Sequence, residues 1–123
     1  MNTHGGSVRK RTGGRLRPHR DRQKHELGRE PTETQVDDTR LKVEDARGGT
    51  RKVRALADNR ILVNDGETTS QTTIETVTEN PANPNYVRRD IVTKGAIVDT
   101  PEGSVRVTSR PGQSGHICGV LID

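Results

Sequence analysis

The sequence has no Phe and no Trp, a single tyrosine (Tyr86) and a single cysteine (Cys118). Without aromatics a core has to be filled by aliphatic side chains, which bury less area each and leave a small domain only modestly stable. The near absence of aromatics also removes the stacking platform on which sequence-reading RNA modules splay bases. One cysteine excludes an internal disulfide and every zinc-ribbon or zinc-finger spacing, and it points to a reducing compartment. His116 and Cys118 are two residues apart, but no second ligand pair accompanies them. His19 and His25 lie among positive charges that disfavour a cation, so no metal and no cofactor is expected.

Long apolar runs are missing too. The longest, residues 117–122, is far below the roughly 20 residues that cross a bilayer, and no hydrophobic run follows the basic N-terminal stretch as a signal peptide requires. Gly5-Gly6, Gly13-Gly14 and Pro18 break the amphipathic helix of an organellar transit peptide. No membrane partner is therefore expected. Catalytic motifs are lacking as well: neither Gly48-Gly49 nor Gly112-x-x-Gly115 is followed by the Lys-Ser/Thr of a phosphate loop, and no Gly-x-Ser-x-Gly elbow occurs. Asp37-Asp38 and Glu44-Asp45 sit in polar contexts with no apolar pocket to raise a carboxyl pKa. The chain reads as a non-enzyme.

What is abundant is arginine at the front. Residues 1–30 hold nine Lys or Arg against three acids, a surplus of six, while the other 93 residues carry 12 basic and 14 acidic residues. Only Val8, Leu16 and Leu27 are large and aliphatic in this segment, too few to offset the entropy of ordering a backbone. Residues 1–30 are expected to be an extended basic arm, disordered until bound, with a short helical turn near residues 23–27 ended by Gly28. A polyanion is the partner this charge fits: cations along an extended chain neutralise phosphates and release counterions, and arginine adds planar bidentate contacts. The other reading of the same charge is a solvated tail that aids solubility.

Residues 31–123 contain 21 of the 24 Val, Ile and Leu residues, and 17 of those 21 are β-branched, a composition that favours strands. Alternation and turn residues mark strands near 34–43, 51–57, 60–64, 68–78, 86–93, 96–100, 104–109 and 116–122. Turns fall at Arg47–Thr50, Asp58-Asn59, Asp65-Gly66, the Asn-Pro loop of residues 80–85, Lys94-Gly95, residues 101–103 and residues 110–115. Ile74 and Val77 break strict alternation, which suggests a bulge or an edge position. No helical period runs far enough for a substantial helix. The expected fold is all-β: a small closed barrel-like body of short antiparallel strands behind the basic arm.

The motif Arg9-x-x-Thr12-Gly13-Gly14, followed after five residues by Arg20-x-Arg22-x-Lys24-x-Glu26-Leu27-Gly28, resembles the N-terminal signature of the ribosomal protein eight-e family of the small subunit. The likeness continues through residues 29–34, Gly48-Gly49 with residues 52–56, residues 79–90, Thr93-Lys94-Gly95 and residues 107–112. It thus covers nearly the whole chain. Asp21 stands where the family usually has a basic residue, and the large insertion of the eukaryotic members is absent, which makes the chain similar to the archaeal short form.

The resemblance implies a β-barrel-like body and a structural role on small-subunit ribosomal RNA beside neighbouring ribosomal proteins, in the cytoplasm, with no homo-oligomer. Charge and resemblance together nominate as RNA-binding residues Arg9, Lys10, Arg11, Arg15, Arg17, Arg20, Arg22 and Lys24, with Thr12, Gly13 and Gly14 allowing close backbone approach and His25 stacking or donating to phosphate. In the body they nominate Arg47, Gly48, Gly49, Arg51, Lys52 and Arg54, and a second group of Arg88, Arg89 and Lys94. A stripe of Lys52, Arg54 and Arg106 on one outer face would extend this surface. Two alternatives remain open at this stage: a free-standing RNA-binding module with the same charge pattern, and a small RNA-acting enzyme for which no catalytic residue can be nominated.

Overall fold

The computed structural model describes residues 3, 4 and 6–122, which divide into two compact units, one ending at Pro31 and the other beginning at Thr32. In the first unit the described residues form isolated bridges and one 3₁₀ turn, with no strand and no α-helix.

The second unit is mostly β. Its strands are β1 (Arg40–Asp45), β2 (Arg51–Ala57), β3 (Arg60–Asn64), β4 (Thr69–Thr73), β5 (Thr76–Glu79), β6 (Ile97–Thr100), β7 (Gly103–Val107) and β8 (Cys118–Leu121). Two single-turn helices interrupt them, α1 (Asn85–Arg88) and α2 (Pro111–Ser114). β1 and β2 pair as an antiparallel ribbon; the other six form one sheet in the order β4-β3-β8-β7-β6-β5.

The connectivity forces that sheet to curl. β4 and β5 are its opposite edges, yet only Ile74 and Glu75 separate them in sequence. Three Cα–Cα steps reach at most about 11 Å. Six flat strands would hold their edges roughly 24 Å apart. The chain passes from one edge to the other in successive residues: the Ile74 N–H donates to the Asn59 carbonyl at 2.8 Å, and the Glu75 N–H donates to the Asp99 carbonyl at 2.9 Å. This bend is the physical cause of the broken alternation at Ile74 and Val77. The result is a curled, half-barrel sheet whose edges meet at a covalent corner without pairing as a ladder.

Within this sheet the strand pairs are antiparallel except β3 with β8, where Leu62 faces Cys118 and Asn64 faces Val120 in parallel register. The concave side holds the core: Ile61 and Val63, Val77, Val98, Val105 and Val107, closed by Ile74, Val92, Ala96 and Ile117. Every member is aliphatic, as the lack of aromatics required. Gly119 allows β7 and β8 to approach closely, since a Cβ there would stand 2.8 Å from the Arg106 carbonyl oxygen.

Two expectations are corrected. Residues 86–93 do not form a strand. Asn83 accepts from the Asn85 N–H at 3.0 Å and from the Tyr86 N–H at 3.0 Å through its side chain and its carbonyl respectively, and the turn so started continues as α1. Local Asn-Pro-Asn turn chemistry outweighs the β propensity of Tyr86 and Val87. Only Ile91 then pairs, in a single bridge with Gln35. Residues 110–115 are not a simple turn but α2, with Pro111 at its first position and Gly115 closing it at φ 79°. The ribbon also departs from its expected burial. Its alternation is that of a strand, but Leu41 and Val43 are 51% and 60% exposed, so the described residues leave these two side chains uncovered.

Candidate nucleic-acid interface

In the N-terminal unit the charged motif closes a tight hairpin. The Gly13 N–H donates to the Lys10 carbonyl at 3.0 Å, the Lys10 N–H donates to Gly14 at 2.7 Å, and the Leu16 N–H donates to Val8 at 2.7 Å. Gly13 has φ 93°, the left-handed residue that follows a type I turn in a three-residue loop. Arg9 pairs across to Arg15, and its guanidinium donates to the Gly13 carbonyl at 3.1 Å. Lys10, Arg11 and Thr12 are thereby held at the exposed end of the loop.

A second local structure organises residues 20–27. Arg20 meets the Glu26 carboxylate at 2.6 Å, the Gln23 N–H donates to the same carboxylate at 3.2 Å, and His25 Nε2 lies 3.9 Å from it. The Arg20 hydrogen bond, followed by that of Gln23, holds the Glu26 carboxyl below its ordinary value of 4.5. One arm cation is thus neutralised internally. Arg9, Lys10, Arg11, Arg15, Arg17, Arg22 and Lys24 are exposed and meet no carboxylate among the described residues.

In the body, residues 47–54 separate into distinct roles. Arg47–Gly49 form a 3₁₀ turn closed by the Ala46 N–H donating to Thr50 at 2.7 Å, with Gly48 and Gly49 at φ 77° and 79°. Arg47 is exposed at this tip, and Arg51 makes only a long, exposed 3.4 Å contact with Asp45. Lys52 donates to the Gln113 side chain at 2.8 Å. Arg54 is largely buried, donating to Glu44 and to the Gly112 carbonyl, both at 2.8 Å. Its charge ties the ribbon to α2. Lys52 and Arg54 therefore both turn onto α2, whereas Arg106 lies elsewhere.

Of the second group, Arg89 pairs with Glu33 at 2.9 Å, while Arg88 and Lys94 are exposed without a carboxylate partner among the described residues. Arg88 shares an open groove of about 860 Å³ with Arg106, which sequence reading placed in a different company. The usable signal was the alternation Val105-Arg106-Val107, which turns Arg106 out from the core. Nothing in the sequence joins it to a residue 18 positions away.

No group of His, Cys, Asp or Glu among the described residues has the arrangement of a metal site, and Cys118 is a free, half-buried thiol on β8. Among the described residues no helix is long and apolar enough to cross a membrane.

An exposed basic arm attached to a small curled β-sheet defines the molecule's class, a small basic β-protein. Within that class the chain belongs to the family described as ribosomal protein S8e, which matches residues 3–122. The small ribosomal subunit protein eS8 of Haloarcula marismortui is 55% identical across the full length of both chains, and that of Halorubrum lacusprofundi 53% across the full length of both. The corresponding protein of Methanobrevibacter smithii is 50% identical over 96% of each.

Proposed function

We propose that the protein is a structural constituent of the small ribosomal subunit, bound to ribosomal RNA in the cytoplasm beside other ribosomal proteins. The observation that carries the binding mechanism is the set of seven exposed arm cations that meet no carboxylate among the described residues, displayed on a Gly13-closed hairpin and the stretch after it. Cations kept free of acids in the folded chain remain available to phosphate, and each one engaged releases condensed counterions. Arg47 and Arg51, at the tip of the ribbon, provide the second contact, so that the protein bridges RNA segments by charge neutralisation. Arg54 and Arg20 act chiefly on the protein's own structure.

Family membership and full-length likeness to small-subunit proteins support this role over a free-standing module or an RNA-acting enzyme. With about six phosphates neutralised, affinity falls roughly 10³- to 10⁵-fold between 50 and 200 mM salt. Sucrose-gradient sedimentation of a lysate tests the assignment. Full-length protein should travel with small subunits through a moderate-salt wash, and a form lacking residues 1–30 should be weakened or lost. Full-length protein left at the top of the gradient would reject the ribosomal role.

A further inference from the structure

The groove beside α1 has a chemistry that general phosphate binding does not use. Its floor is the outer, convex face of the sheet. The register sets Glu79 opposite Ile97 and Ile97 opposite Arg106, so the three form one row across β5, β6 and β7. Directly opposed residues share a face of the sheet. A carboxylate and a guanidinium thus stand at the two ends of an aliphatic step, two strand spacings or roughly 10 Å apart. The wall is built by Pro81, Val87 and Arg88 of the loop and α1. The side chains of Arg88, Arg106 and Glu79 make no ion pair or hydrogen bond among the described residues.

Resting on the RNA-binding reading above, we propose that this groove receives a single unstacked nucleotide of the RNA, with guanine as its preferred base. Its volume is enough for one small organic ligand lying against an open face. Arg88 and Arg106 supply donors to a phosphate. Ile97, Val87 and Pro81 offer an apolar surface for the base face, taking the place of the aromatic platform this chain lacks. Glu79 sets the choice of base. An ionised carboxylate only accepts hydrogen bonds, and guanine presents two neighbouring donors, N1–H and the N2 amino group, on its Watson–Crick edge. Uracil flanks its single N–H with two carbonyl oxygens that repel a carboxylate. The body therefore contributes base selectivity in addition to the charge of the arm.

Titration of the full-length protein with guanosine 5′-monophosphate, followed by backbone amide shifts, tests this. Shifts are expected at Val87, Gly95, Ile97 and Arg106, with binding about tenfold weaker in Arg106→Ala, since one charge-assisted contact is lost. Uridine 5′-monophosphate should bind several-fold more weakly than the guanine nucleotide, and Glu79→Gln should narrow that difference. Arg106 and Glu79 are both exposed, so the two variants keep the fold.

Three results would overturn the proposal: shifts confined to the arm, equal affinity for both nucleotides, or inorganic phosphate reproducing the full pattern at the same midpoint. The sedimentation experiment fails separately. A chain that enters small subunits but shows no groove shifts rejects the groove alone, whereas groove binding by a chain that never enters subunits rejects the ribosomal role.

Discussion

Arg54 and Arg47 lie seven residues apart in the same basic cluster and do opposite work. Arg54 is held by Glu44 and the Gly112 carbonyl at the junction of the ribbon and α2, while Arg47 stands exposed at the turn. Truncating this largely buried donor leaves the Gly112 carbonyl without its Arg54 hydrogen bond and takes one of the cations from Glu44, which keeps Lys42 at 2.9 Å; the loss costs about 1–3 kcal/mol. Arg54→Ala should lower the denaturation midpoint and leave RNA affinity of the folded protein within about twofold. Arg47→Ala should reverse the pattern, with unchanged stability and weaker binding. Equal stability losses for the two would remove the distinction.

The Arg20–Glu26 ion pair of the arm has its own pH signature. The Glu26 carboxyl is lowered by Arg20 and by the Gln23 N–H, so its contribution to the turn is fully present above the ordinary value of 4.5 and is lost as pH falls through the lowered one. The Gln23 amide resonance should therefore titrate with a midpoint below 4.5. A midpoint at or above that value would mean the contact does not persist in solution.

These residue roles were only partly legible in the sequence. Charge density marked the arm correctly as basic, because composition needs no partner to be read. Which cations are spent internally depends on acids brought from a distance: Glu33 on Arg89 and Glu44 on Arg54.

Among the elements, the alternating runs of β2, β3, β6 and β7 were readable because each has one face on the aliphatic core and the other in water. α1 was not, since a four-residue helix has no periodicity to detect and its cause is an Asn-Pro-Asn turn of the kind that also begins loops. The β3–β8 parallel pair joins strands more than fifty residues apart, and no local pattern encodes it. On its other side β8 packs closely on β7, and the sequence meets that demand at Gly119, which faces Val107 there. A methyl group there would press on the Arg106 backbone from the centre of the sheet, where neighbouring strands cannot recede. Gly119→Ala should cost about 1–3 kcal/mol, read from chemical denaturation. A neutral substitution would show that β7 and β8 have room to separate.

For the whole molecule, the missing aromatics and the basic surplus have a common consequence. A core of Val, Ile and Ala fills a small curled sheet but leaves apolar surface such as Leu41 and Val43 of the ribbon exposed. In the proposed role, RNA and neighbouring proteins complete what the chain does not bury. The all-β, barrel-like architecture followed from composition and turn spacing. The curl itself came from the two residues between β4 and β5, which the sequence displayed only as faulty alternation. The described residues of the arm carry bridges and turns and no strand.

The central claim is that free arm cations bind phosphate, and the salt dependence of binding to small-subunit RNA measures it most directly. Each neutralised phosphate contributes a slope of roughly 0.7 to 0.9 in log affinity against log salt. Replacing Arg15 and Arg17 together by Ala should flatten the slope by about 1.4 to 1.8 units without changing the stability of the body. A slope equal to that of the unaltered protein would contradict the account and remove both residues from the phosphate contacts.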